Sequence, residues 1–234
     1  MRGFLLLLAA VVATAADLPT APAVLSADQI FSRLIEKNRE RESLLRSYSV
    51  RRTYSASNTS GKQYAEEDVR MSCSEPAEKK FELISARGSW LVRSLVFSRL
   101  RESEATAVGG KERNDSSITP ANYRLEALGT EELNGRLCYV VEAIPLRKDK
   151  YLFEGRAWVD AADFAVARIA ARPARNPSFW IRQVEFVRTY AKIGDFWLPF
   201  KDETVADIRA YGHKILTIDH YDYVLNAGEE VANR

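Results

Sequence analysis

Cys138–Pro145 (CYVVEAIP), Arg156–Ile169 (RAWVDAADFAVARI), Trp180–Phe200 (WIRQVEFVRTYAKIGDFWLPF), Glu203–Tyr211 (ETVADIRAY) and Lys214–Val224 (KILTIDHYDYV) decide the fold of this chain. Each run is rich in β-branched and aromatic residues, and turn signals interrupt them at Asp160–Asp163, Ile193-Gly194-Asp195 and Tyr211-Gly212-His213. No helix-length apolar pattern separates them. Strands joined by short turns pair antiparallel, because a parallel neighbour needs a crossover of about a dozen residues or more. The second half of the chain therefore reads as a long antiparallel meander, and the rest must cover its apolar face.

Moving outward from the meander, Leu133-Asn134-Gly135-Arg136 is a tight hairpin signal that joins it to a strand at Arg124–Leu128, itself fed by a corner at Thr119–Tyr123. Gly109–Asp115 is polar and reads as a loop. Over Trp90–Ala105 the period changes to helical, with Leu91 and Leu95, and Val92, Val96 and Leu100, recurring on a face. Three alternating runs precede it, Tyr48–Ala56, Tyr64–Cys73 and Lys79–Ala86, broken at Asn58–Gly61, Glu75-Pro76 and Gly88-Ser89. Before them, Ser26-Ala27-Asp28-Gln29 matches a capping box and opens a helix whose stripe is Phe31, Leu34, Ile35, Asn38 and Leu45. From Asn226 the chain is polar and expected to fray. With no repeat and no Gly/Ser-rich linker, residues 17–234 read as one domain.

Lys and Arg total 34 against 32 Asp and Glu, a near-balance that argues against an electrostatic nucleic-acid binder. Met1–Ala16 has a positive start at Arg2, a short apolar run over Phe4–Val12 and the small residues Ala13-Thr14-Ala15-Ala16. That is the pattern of a cleaved secretory signal, and the apolar run falls short of the ~20 residues that span a bilayer. An uncleaved anchor is the alternative, disfavoured by the small residues. The expectation is an exported, periplasmic, soluble monomer. In that setting Cys73 and Cys138 either form one bridge or remain two buried thiols. Asn58-Thr59-Ser60 and Asn114-Asp115-Ser116 fit the glycosylation sequon and mark exposed loops.

Catalytic signals are weak. His213 and His220, seven apart on one strand, project to opposite faces, which argues against a shared metal; His220 and Asp222 are expected on one face with Asp219 on the other. No G-x-S-x-G elbow or phosphate loop occurs, Cys138 sits in an apolar strand that favours inertness, and neither cofactor nor metal is expected. An exported hydrolase with carboxylates on distant strands stays open as a minor alternative. The aromatic residues are more informative. Two helices are little cover for about ten strands, and a twisted sheet of that size curls. A curled, incompletely covered sheet leaves an apolar concavity, a usual form of binding site.

Asn134–Tyr139 (NGRLCY), Gly155–Asp160 (GRAWVD), Asn176–Trp180 (NPSFW) and Gly194–Pro199 (GDFWLP), on a chain with a leading helix, a helical interruption and a late meander, resemble the LolA/LolB-like lipoprotein carriers and bacterial outer-membrane lipoprotein-sorting proteins. The resemblance implies an α+β fold: a curved antiparallel sheet, an unclosed half-barrel of about ten strands, covered on its concave face by two or more helices. It implies non-catalytic binding of lipoprotein acyl chains or another amphiphile, with transient membrane contact and an envelope protein as possible partners. The expected lining is Phe31, Leu34, Tyr139, Val141, Trp158, Phe164, Val166, Phe179, Trp180, Phe186, Tyr190 and Trp197. LolA holds its lid with an arginine near its early strands; Arg51 and Arg52 both stand in that region, and no local motif chooses between them. A competing reading is an interaction or sensor module that contacts a protein through Arg172–Trp180.

Overall fold

The computed structural model describes residues 25–74, 78–106, 118–149, 151–176 and 178–226. The proposed leader at 1–16, the Glu75-Pro76 break, the Gly109–Asp115 loop and the Asn114 sequon lie outside them. In chain order the elements are α1 (Ala27–Leu44), β1 (Ser47–Asn58), β2 (Gln63–Ser74), β3 (Glu78–Gly88), a second helix α2, then β4 (Tyr123–Leu133), β5 (Arg136–Pro145), β6 (Phe153–Asp160), β7 (Val166–Pro173), β8 (Ile181–Ile193), β9 (Phe196–Ile208) and β10 (Gly212–Leu225). Helix α2 is a continuous run of Trp90–Val92, a π-turn at Arg93–Phe97, and Ser98–Thr106.

All ten strands form one antiparallel sheet in the order β3-β2-β1-β10-β9-β8-β7-β6-β5-β4. The meander β4 to β10 is the predicted one. Its last strand then pairs with β1, so the first and last strands among the described residues meet inside the sheet, third and fourth from the β3 edge. The two edges, β3 and β4, are left unjoined, and the curved sheet is a half-barrel rather than a closed one. The hairpins follow local chemistry. Asn134 and Gly135 take positive φ, 52° and 75°, the conformation that a two-residue turn between Leu133 and Arg136 requires.

The strand register defines a row that crosses the whole sheet on one face: Ala127, Val141, Ala157, Ile169, Arg188, Asp202, Ile218, Tyr54, Glu67 and Ala86. Val141, Ala157 and Ile169 pack with Ile30, Phe31 and Leu34 of α1, and Tyr54 packs with Phe97 of α2. Both helices therefore cover the same, inner face, one over each wing. The capping box forms, with Gln29 N–H donating to Ser26 Oγ (3.2 Å) and Ser26 N–H to Gln29 Oε1 (2.9 Å).

Two expectations are corrected, and one open alternative is decided. Asn226 does not fray: its side chain accepts from the Arg46 and Ser47 N–H groups and donates to Leu44 O, clamping the α1–β1 junction. Asp222 does not share a face with His220. It sits at φ 53° where the β1–β10 register slips, so it turns outward to Arg51 while His220 is buried. No disulfide joins Cys73 and Cys138, which lie in β2 and β5, seven strand steps apart. Burial pushes the Cys138 thiol up to about 11, which removes thiolate chemistry at neutral pH.

Gly155 of the GRAWVD segment has φ 149°, and a Cβ there would lie 2.5 Å from Ala170 O and 2.7 Å from Ala171 Cα. Strand β7 comes too close for any side chain at this position. Gly155→Ala is expected to destabilise the fold by about 2 kcal/mol or more. A urea midpoint unchanged from the wild type would contradict this close approach.

Candidate functional site

Helix α1 touches the sheet with only part of its length. Ile30, Phe31 and Leu34 are buried, Ile35 is half-buried, and Asn38, which shares the predicted stripe, is exposed. Beyond Ile35 the helix stands off the sheet. Beneath it lies a cavity of about 750 Å³, bounded by Ile35, Asn38 and Leu45 above and by Val166, Ile169, Tyr190, Phe196 and Leu198 of the sheet below. Arg39, Arg41 and Glu42 border it as well. A second cavity of about 500 Å³ lies on the other flank of α1, between Phe31, Ser32 and Ile35 and the side chains of Pro120, Tyr123, Leu125 and Leu146. Ile35 borders both.

The turn that closes β6 onto β7 shapes the floor. Asp160 is buried, and its carboxylate accepts from the Ala162 and Asp163 N–H groups and from Arg136 at 2.6 and 3.0 Å. This tight turn delivers Phe164 at φ 46°, stacked on Tyr139 at 5.9 Å with the Arg33 guanidinium 5.1 Å over its ring. A bulky residue in that backbone region is rare and persists only where its surroundings fix it.

Of the residues expected to line the site, the fold brings Phe31, Leu34, Tyr139, Val141, Phe164, Val166, Phe186 and Tyr190 into one cluster between α1 and the sheet. Val166, Tyr190 and Trp197 border the larger cavity. Trp197 sits at the end of the sheet, where its indole N–H donates to Asp163 (3.0 Å). Three residues stand elsewhere. Trp158 is on the outer face with Cys138 and Val140, its indole N–H donating to Glu131 (2.8 Å), because Ala157 and Val159 take the inner positions of β6. Phe179 and Trp180 lie in the β7–β8 connection, 78% and 62% exposed and away from both cavities.

Sequence reasoning missed the polar groups at the centre of the inner face. Arg188 pairs with Asp202, whose other oxygen lies 3.1 Å from His220 Nε2. Beside His220 in the β1–β10 register, the buried Arg52 makes a two-pronged bond to Glu104 of α2, at 2.6 and 3.2 Å, and Lys79 Nζ reaches the same carboxylate at 2.8 Å. Arg51 faces outward to Tyr221 and Asp222, so Arg52 is the arginine of the pair that engages a covering helix. Burial makes His220 less basic, outweighing its bond to Asp202. Its Nδ1 has no partner among the described residues. The signal was present in the alternation Val184, Phe186, Arg188, Tyr190, where a charge occupies a slot of an otherwise apolar inner set.

Helix α2 is also held by Glu67, which pairs with Arg101 and, at 3.9 Å, with Arg93. Its own outer side is apolar: Trp90, Leu91, Leu95 and Leu100 are exposed. No helix among the described residues is long and apolar enough to cross a membrane.

No known family profile and no curated protein matches the chain. Among solved structures it is similar to a DUF1329 family protein from Desulfovibrio piger (TM-score 0.46, 11% identity, 87% of this chain and 94% of that one). It is also similar to an outer membrane lipoprotein-sorting protein domain from Vibrio parahaemolyticus (0.42, 14%, 84% and 94%). A third is a LolA superfamily protein from Nitrosomonas europaea (0.40, 12%, 86% and 94%). These likenesses are distant; the architecture rests on the strand order and register.

Burial alone would push the Glu104 carboxyl up, but the bonds and charges of Arg52 and Lys79 outweigh it and hold the group at about 2. Its folded value lies below that of an ordinary glutamate, so its stabilisation is complete above about pH 4.5 and is lost as pH falls towards 2. Glu104→Gln is expected to cost roughly 2 kcal/mol near neutral pH, a buried-pair loss discounted for partial exposure. The gap from wild type should close as melts are repeated at falling pH. A gap constant from neutral to about pH 2 would show that this pairing does not hold α2.

Proposed function

We propose that this chain is an exported, non-catalytic carrier that holds the apolar chain of a lipid or lipoprotein in the concavity beside α1. The observation that carries the reading is the cavity of about 750 Å³ left where the second half of α1 stands off the sheet. It falls in the range of small-molecule sites, ~300–1,000 Å³, and its sheet side is built of Val166, Ile169, Phe196 and Leu198. Each methylene moved from water into such a space contributes about 0.8 kcal/mol. The resemblance of the GRAWVD, NPSFW and GDFWLP segments to lipoprotein carriers supports the same reading, as does the leader-like pattern of Met1–Ala16 for export to the periplasm.

A second reading rests on a different observation. Phe179 and Trp180 stand exposed beside each other, with Arg209 over the Phe179 ring at 4.8 Å. Exposed aromatic and arginine side chains are the usual anchors of protein contacts. An envelope protein docking there is compatible with a filled cavity. Loss of a pulled-down partner in Phe179→Ala and Trp180→Ala, with bound lipid unchanged, would assign this loop to a partner.

The carrier reading is tested by native mass spectrometry of protein purified from the compartment it occupies, and by titration of the delipidated protein with a fluorescent fatty-acyl probe. Wild type is expected to carry or take up one chain. Ile35→Trp, which narrows both cavities from a half-buried position, should weaken uptake by about tenfold or more while the fold persists. A protein that is empty on purification and takes up no probe would overturn the reading.

A further inference from the structure

Arg188 occupies an unusual place. Its cross-strand neighbours are Ile169 and Asp202, so it lies on the inner face that both helices cover. Yet its side chain is 46% exposed, and its partners come from the sheet alone, Asp202 and Tyr190. No residue of either helix reaches it among the described residues. The gap between the two helix-covered wings therefore opens onto a guanidinium.

The groups around it are rich in donors and poor in acceptors. Asp202 is shared between Arg188 and His220. His220, 3% exposed, donates its Nε2–H to Asp202, and Arg52 is 5% exposed with an Nε–H that has no partner among the described residues, its charge answered by Glu104. A guanidinium presents five N–H donors, more than one shared carboxylate and a phenol can absorb. If Arg188 served only to hold β8 against β9, its half-exposed side chain would contribute little there, since Asp202 across the strand already accepts from His220.

We propose that Arg188 is an anion-binding subsite in the concavity, which takes the carboxylate or phosphate head of an amphiphile whose apolar chain lies beneath α1. The inference rests on the carrier reading and names the class of ligand. Tyr190 connects the two parts: it borders the cavity and lies two residues from Arg188 on the same strand face, about 7 Å away. A single amphiphile can therefore keep its chain against Val166 and Ile169 while its head meets Arg188. A charge-assisted, two-pronged bond to a carboxylate or phosphate is the strongest contact a guanidinium makes, and a neutral alcohol cannot replace it.

The test uses the delipidated full chain and three probes of equal chain length: dodecanoate, dodecyl phosphate and dodecanol. Affinities are measured by displacement of a fluorescent acyl probe, on wild type, Arg188→Gln and Arg188→Lys. Wild type is expected to bind at least one of the anions about tenfold or more tightly than dodecanol, and whichever anion is preferred tells a fatty-acid head from a phosphate head. Arg188→Gln should abolish that preference with dodecanol affinity unchanged, which also shows that the variant is folded, and Arg188→Lys should keep part of it. Equal affinity of wild type for all three probes, or a preference that survives in Arg188→Gln, would overturn the subsite and leave the carrier reading intact. Failure of every probe to bind would overturn both.

Discussion

A guanidinium placed on the inner face of a sheet has to be answered by a carboxylate, and Arg52 is answered by Glu104 on the covering helix. The position of α2 follows from that demand. Glu104 also accepts from Lys79 of β3, while Glu67, itself buried, takes Arg101 and Arg93 from the same helix. The π-turn between these anchors carries Phe97, fully buried, onto Tyr54 at 5.8 Å. Helix α2 is thus seated by paired charges around a small apolar contact. Breaking one partner of such a pair is expensive because the other stays buried.

The same demand organises the place where the chain's first and last strands meet. Arg52 and His220 face each other across the β1–β10 pair, where two cations would repel. Burial, and the neighbouring Arg52 charge, keep His220 on the neutral side, and its Nε2 is spent on Asp202. The inner face is therefore an apolar wing under α1, a polar centre, and a second wing under α2 where paired charges ring a small apolar contact. On the proposed carrier reading, a simple hydrocarbon would have no use for the middle part. The division suits a ligand that is itself divided.

The architecture was largely legible, for local reasons. The capping box at Ser26, the Asn134-Gly135 turn and the change to helical period at Trp90 each act within a few residues, and each forms as read. What was not legible depends on register between distant segments. Trp158 looked like lining because Arg156–Asp160 is apolar on both faces, and only pairing with β5 and β7 decides that Ala157 faces inward. Asp222 was misplaced because a bulge at positive φ resets the alternation after Tyr221. Phe179 and Trp180 lie in the connection between β7 and β8, and aromatic content alone does not distinguish a core side chain from an exposed one. Arg188 was overlooked since its significance appears only once four cross-strand pairs put it in line with Ile169, Asp202, Ile218 and Tyr54.

Helix α1 shows how a cavity can be kept open without an unstable lid. Its first half is nailed down by Ile30, Phe31 and Leu34. Its far end is tied by Arg41 to the Asp163 carbonyl and by Asn226 to Leu44 O. The stretch between needs no floor, because Lys37 pairs with Glu40 at 2.7 Å and Arg41 donates to Asn38 at 2.8 Å along the helix itself. A helix anchored at both ends and self-supported between them is a bridge. On the proposed carrier reading, a chain entering the space beneath it comes from the side, and Arg188 stands exposed on the same inner face. The exposed charge and the apolar room under the bridge are then two consequences of one arrangement: two helices that cover the wings of a ten-stranded sheet and, among the described residues, leave its middle uncovered.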